Sequence, residues 1–254
     1  MAIQMLLLFL IIYLDGIILA QPNLLFTNCG NNGDYTQSSV YQSNLNTLLS
    51  SISSNMNNYG FYNSSIGGDN NMVSAIVLCR GDVDLNKCRT CVDNVAQKLI
   101  RSCPNKKEAF GGYDECMLQY YSGRPIPKSN LPLLYMWDDG FASKPEEFHQ
   151  ELKKLMDVLR GVAAYSEDPR RKYATGQAID RNYQTIYALV QCTPDLSPQD
   201  CFDCLTDAYG AMATCPCNGN RGSRQIGPRC NFRYERSRFF KSPPNECSSS
   251  PGRT

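Results

Sequence analysis

The stretch Cys79-Arg80-Gly81-Asp82-Val83-Asp84-Leu85-Asn86-Lys87-Cys88-Arg89-Thr90-Cys91 places three cysteines at a C-x(8)-C-x(2)-C spacing. The same spacing recurs in Cys192-Thr193-Pro194-Asp195-Leu196-Ser197-Pro198-Gln199-Asp200-Cys201-Phe202-Asp203-Cys204. A gap of twelve residues then ends each cluster, from Cys103 to Cys116 and from Cys217 to Cys230. A spacing this specific, used twice, means that one small module has been duplicated. The repeat settles the domain count before any finer reading.

The apolar pattern repeats as well. Tyr41, Leu45, Leu48, Leu49 and Ile52 fall at i, i+4, i+7, i+8 and i+11, and Phe148, Leu152, Leu155, Met156 and Leu159 fall at the same offsets. Each set is one face of an amphipathic helix. A second helix follows each Cys-x-x-Cys, with Val92, Val95, Ala96, Leu99 and Ile100 corresponding to Leu205, Ala208, Tyr209, Met212 and Ala213. The paired cysteines then sit in its first turns, where i and i+3 share a face. Ala75-Ile76-Val77-Leu78-Cys79 and Ala188-Leu189-Val190-Gln191-Cys192 read as corresponding strands. So do Cys116-Met117-Leu118-Gln119-Tyr120 and Cys230-Asn231-Phe232-Arg233-Tyr234, with Cys, Leu or Phe, and Tyr on one face at period two. The fold class is α+β, each repeat an antiparallel β-sheet packed on two helices. The modules are assigned to residues 21–124 and 133–240, joined by a linker at 125–132 within a Gly-, Pro- and Ser-containing stretch. Residues 241–254, rich in Pro, Ser and Gly, read as a disordered tail.

Residues 5–19 are almost wholly apolar, and Ile18-Leu19-Ala20 ends the run on a small residue. At about fifteen residues it is shorter than the roughly twenty that span a bilayer. Residues 1–20 therefore read as a cleaved secretory signal, which would send the chain to an oxidising compartment where cysteines pair. No Lys or Arg precedes the run, and Asp15 lies within it, so an uncleaved anchor is the alternative. A zinc site fits poorly, because the single histidine, His149, is remote from both clusters and the two Cys-x-x-Cys pairs lie in different repeats. A thioredoxin-like site lacks its βαβ surroundings. The net charge of +1 offers no electrostatic case for nucleic acid or an anionic membrane surface. Asn63-Ser64-Ser65 is an N-glycosylation acceptor, and Asn245-Glu246-Cys247 a rare variant of one.

Catalysis finds little support. His149 occupies a polar position of an amphipathic helix and reads as solvated. No phosphate-binding loop or other cofactor motif occurs. A glycosidase would need two separated carboxylates, whereas Asp138-Asp139 and Glu146-Glu147 are adjacent pairs. Asp114-Glu115 reads as structural, preceding Cys116.

These motifs resemble the ginkbilobin-like, or stress-antifungal, domain of plants. The matching words include Cys79-Arg80-Gly81-Asp82-Val83, Tyr113-Asp114-Glu115-Cys116-Met117-Leu118, Tyr173-Ala174-Thr175-Gly176, Ile186-Tyr187-Ala188-Leu189-Val190-Gln191-Cys192-Thr193-Pro194-Asp195-Leu196 and Cys230-Asn231-Phe232-Arg233-Tyr234-Glu235. The resemblance spans residues 25–240. Tandem pairs of this domain occur in cysteine-rich repeat secretory proteins and in the ectodomains of cysteine-rich receptor-like kinases. The resemblance implies bridges Cys29–Cys103, Cys79–Cys88 and Cys91–Cys116 in the first repeat, and Cys192–Cys201 and Cys204–Cys230 in the second. Spacing alone leaves fifteen connectivities open for six cysteines. Cys215, Cys217 and Cys247 remain, and the count of thirteen leaves at least one thiol free or paired between chains.

Antifungal single-domain relatives bind mannose through an Asn, an Arg and a Glu. The corresponding Arg and Glu positions hold Phe110 and Tyr121 in the first repeat, and Arg224 and Glu235 in the second. The Asn position holds Gly30 in the first repeat and falls near Trp137 in the second. Arg224 and Glu235 are thus candidate carbohydrate-binding residues, with Trp137 able to stack on a sugar. The structural alternative is a cross-strand Arg224–Glu235 ion pair with Trp137 in the core. The resemblance implies a secreted, non-enzymatic binding protein of plant defence or stress, meeting mannose-type cell-wall carbohydrate or a cell-surface protein in the apoplast. The mature chain would have no membrane span. The rival reading is a truncated receptor-kinase ectodomain.

Overall fold

A computed structural model describes residues 24–123, 133–138, 140–212, 215 and 219–241. Residues 1–20, the linker at 125–132 and the tail beyond Lys241 lie outside the described residues. The first module runs β1 (Phe26–Cys29), α1 (Val40–Asn55), β2 (Phe61–Ile66), β3 (Val73–Cys79), α2 (Leu85–Ser102), β4 (Ala109–Gly112) and β5 (Cys116–Ser122). The second runs β6 (Leu134–Trp137), α3 (Pro145–Ala164), β7 (Tyr173–Ile179), β8 (Thr185–Cys192), α4 (Pro198–Ala211), β9 (Ser223–Ile226) and β10 (Cys230–Glu235).

The two sheets have one topology. Their strand orders are β1-β4-β5-β3-β2 and β6-β9-β10-β8-β7, antiparallel throughout. The register repeats as well: Cys79 faces Cys116, and Cys192 faces Cys230. Ser39, Asp84 and Ser197 cap α1, α2 and α4, each side chain accepting a hydrogen bond from a backbone N–H of the first turn. α3 has no such cap and begins instead on Pro145 with Glu146 and Glu147, which suit the helix N-terminus.

The apolar stripes read from the sequence are the buried faces. Tyr41, Leu45, Leu48, Leu49 and Ile52 line one core with Val92, Val95, Leu99, Leu118 and Tyr120. Phe148, Leu152, Leu155, Met156 and Leu159 line the other with Leu205, Ala208, Phe232 and Tyr234. Four disulfides staple helix to strand, Cys79–Cys88, Cys91–Cys116, Cys192–Cys201 and Cys204–Cys230, and a fifth, Cys29–Cys103, ties β1 to the residue that caps the end of α2. Cys215 is also disulfide-bonded; Cys217 and Cys247 lie outside the described residues.

The two modules dock through the sheet faces that the helices leave bare. A third apolar cluster joins Phe26, Leu78, Phe110 and Met117 of the first module to Ile226 of the second, with Leu134 and Met136 packed against it. Every residue of β3 is buried, because Val73, Ala75, Val77 and Cys79 face the helices while Leu78 faces the partner module. Across this seam the Gln191 amide donates to the Cys79 carbonyl at 2.9 Å.

Candidate functional site

The seam is polar at its margin. Arg224 on β9 and Arg233 on β10 are cross-strand partners, and both reach across to the loop before β5. There the Asp114 carboxylate accepts from Arg224, from Arg233 at 2.8 Å and from Arg80 at 2.6 Å. Arg80 also holds Asp82 at 2.6 Å, and Arg233 holds Glu235 at 3.1 Å. Three arginines and three carboxylates thus form one charge-balanced network spanning both modules. Burial works to raise the Asp114 pKa, but Arg224, Arg233 and Arg80 together outweigh it and hold the carboxyl below its usual range. Burial pulls the Arg224 guanidinium below its own usual value, with Asp114 opposing.

This geometry corrects two readings of the sequence. Arg224 and Glu235 do not pair with each other: Arg224 engages Asp114, and Glu235 turns to Arg233, its carboxylate lying over Gly222. Strand pairing sets this outcome, since Arg233 stands opposite Arg224 and lies between it and Glu235. Nor is Trp137 in the core; it ends β6 with 43% of its surface exposed. His149 is a third correction. It is half-buried beside Phe148, with ring centroids 5.8 Å apart. Burial lowers its pKa, although a hydrogen bond to the Pro145 backbone opposes the shift. Its Nε2 is buried without a hydrogen-bond partner. In the first module Phe110 and Tyr121 are both buried. Asp138 is structural, accepting from Gly222 and Asn220. Asn63 is exposed on edge strand β2, and its amide donates to Asp195 of the second module at 3.1 Å.

Beside the network a groove of about 610 Å³ runs between the modules. One wall carries Tyr59 and the Arg80-Gly81-Asp82 turn; the other carries Arg170, Arg171, Lys172 and Tyr173. Gly81 is required here by close approach. A Cβ at this position would lie 2.5 Å from the Tyr173 ring, so only a glycine lets that ring rest on the turn. Arg170 and Arg171 stack over Tyr59 at 4.7 and 5.7 Å. The backbone N–H of Lys241 donates to Asp82 at 2.8 Å, tying the end of the second module to the first. Lys241, read from sequence as the first residue of a disordered tail, is thus held in place.

Sequence reasoning missed the groove. Arg170-Arg171-Lys172 reads as an ordinary solvated charge run, and nothing local shows that the fold turns it toward a second module. Among the described residues no group of three His, Cys, Asp or Glu side chains is arranged to hold a metal ion.

Two copies of one disulfide-stapled α+β module, docked sheet to sheet, define a tandem cysteine-rich domain pair. The chain belongs to the salt stress response/antifungal family, whose model matches residues 28–123 and 138–237. It is 36% identical to cysteine-rich repeat secretory protein 38 of Arabidopsis thaliana, over 86% of this chain and 86% of that protein. It is 37% identical to an antimicrobial ginkbilobin-2-like protein of Castanea crenata, over 83% of this chain and 86% of that one. Cysteine-rich receptor-like protein kinase 29 of Arabidopsis thaliana is 38% identical over 84% of this chain, which spans 32% of the kinase. Among solved structures, the tandem DUF26 ectodomain of the Arabidopsis thaliana cysteine-rich receptor-like protein PDLP8 superposes with a TM-score of 0.73 at 20% identity. That match covers 85% of this chain and 98% of that ectodomain. Among the described residues no helix is long and apolar enough to cross a membrane.

Proposed function

We propose that this chain is a secreted, non-enzymatic recognition protein of plant defence or stress, acting in the apoplast and binding carbohydrate or protein between its two modules. The observation that carries the reading is the groove, which is of ligand size and lined by aromatic and hydrogen-bonding side chains. The five disulfides suit an oxidising, extracellular setting. A secretory and an antimicrobial relative, matched over most of their lengths, support the setting. The test is a calorimetric screen of the secreted full chain against soluble cell-wall oligosaccharides and purified apoplastic proteins. Saturable binding without turnover supports the reading. Consumption of any component, or no binding across the panel, contradicts it.

A second reading rests on the kinase relatives, of which this chain matches about a third. In that reading the pair is the ectodomain of a longer receptor. An in-frame membrane segment and kinase beyond the Thr254 codon would establish it.

A further inference from the structure

The groove is unbalanced in charge. Its lining holds Arg80, Arg170, Arg171, Lys172 and Lys241 against one carboxylate, Asp82. Arg80 is matched by Asp82 and Asp114, and Arg170 by Asp168 at 2.8 Å. Among the described residues, Arg171, Lys172 and Lys241 have no carboxylate within ion-pair distance. Arg171 and Lys241 are exposed at the rim. Lys172 is only 2% exposed, and burial alone holds its ammonium below the ordinary lysine range. Its stem is covered, while the ammonium nitrogen is not fully buried and keeps an opening. Next to it, the Tyr173 hydroxyl is buried with no hydrogen-bond partner. Burial pushes that phenol far above its usual range, so it stays protonated and able to donate. In this wall the Tyr173 hydroxyl thus waits for an acceptor, and Lys172 adds a cation without an ion-pair partner to the lining.

The kind of acceptor follows from the balance of donors. A peptide backbone brings one N–H for every carbonyl and needs acceptors in return, but the one carboxylate of the lining is already taken by Arg80 and the Lys241 backbone. A sugar acid brings carboxylates, hydroxyls and ring oxygens, and its ring suits a groove with Tyr59 on one wall and Tyr173 on the other. We propose that the groove binds a short acidic oligosaccharide, a chain of uronic-acid-type units, with Lys172 answering a carboxylate inside and Arg171 and Lys241 answering others at the rim. This rests on the reading of the chain as a recognition protein and names the ligand class for its groove.

The test is titration calorimetry of the secreted full chain with hexagalacturonate. The comparison ligands are its fully methyl-esterified form, a neutral mannohexaose and a hexa-aspartate peptide, each run at low and raised salt. Hexagalacturonate binds, and esterification weakens binding by at least tenfold, since it removes the charges that Lys172 and the rim cations meet. Lys172→Met weakens binding by about tenfold without lowering the melting temperature, because the methionine keeps the covered stem and the change breaks no ion pair. Lys241→Gln, at the exposed rim, weakens binding a few-fold and reduces its salt dependence. Equal affinity for the esterified chain, tighter binding of hexa-aspartate, or unchanged affinity in Lys172→Met overturns the proposal. If a neutral sugar or a protein binds and no acidic sugar does, the recognition reading stands and this inference falls.

Discussion

Asp114→Asn removes the charge at the centre of the seam while keeping the shape of the side chain. The carboxylate serves Arg80, Arg224 and Arg233 at once. Asp114 is 38% exposed, whereas Arg80 and Arg224 are each 14% exposed and Arg233 is 23%. An exposed ion pair contributes about 0–1 kcal/mol, and stripping one partner from a buried pair costs about 3–5 kcal/mol. This cluster lies between those limits. Arg224 has no other ion pair among the described residues, and an asparagine amide would turn N–H groups toward the guanidinium groups. A loss of about 2–3 kcal/mol follows. Urea denaturation followed by fluorescence measures it, and amide exchange locates it. Exchange should quicken at residues 78–83, 113–117 and 223–233, while α1 and α3 keep their protection. The Asp114→Asn/Arg224→Met double variant should lose clearly less than the sum of the two single variants. A loss under 0.5 kcal/mol, or strict additivity, would refute the reasoning. The pH dependence has a definite sign. The folded-state pKa of Asp114 is depressed, so its contribution is complete above the unfolded value near 4 and is lost as pH falls through the lower folded value. The wild type should therefore lose its advantage over Asp114→Asn only below about pH 4.

Four further outcomes are expected. Gly81→Ala should loosen the seam, because the new methyl meets the Tyr173 ring; faster amide exchange at residues 172–175 with an unchanged α1 core would register it. Replacing Cys29 and Cys103 with serine opens a loop of 74 residues and should cost about 4 kcal/mol, read as a lower urea midpoint. Mannose should give no measurable heat, since Arg224 is committed to Asp114 and Glu235 to Arg233. In the same secreted preparation, glycosidase treatment should lower the mass of any peptide carrying Asn63, a residue exposed on β2.

Much of the fold was legible in the sequence, for identifiable reasons. The cysteine spacing marked the duplication, and helical periodicity picked out the buried faces of α1 and α3 because each packs one stripe against one sheet. The disulfide pairing came from family resemblance, since spacing leaves it open. What escaped was the arrangement of the two modules. Asp114 and Arg224 are 110 residues apart, and each looks like an ordinary charge beside a strand. One local signal existed: Val73–Cys79 does not alternate, and a strand buried on both faces needs a second covering layer. Arg224 was singled out for sugar binding by analogy, but the partner module claims it. His149 was misjudged because the edge of an apolar stripe does not show how far the neighbouring Phe148 draws it inward.

The central claim is that ligand enters between the modules, and a hydrogen–deuterium exchange footprint of the secreted chain with its bound ligand tests it most directly. Protection should concentrate at residues 59–60, 80–83, 170–175 and 191–194, the two walls of the groove. Protection confined to the outer faces of α1 and α3, or to the strand ends around Trp137 and Glu235, would contradict the account.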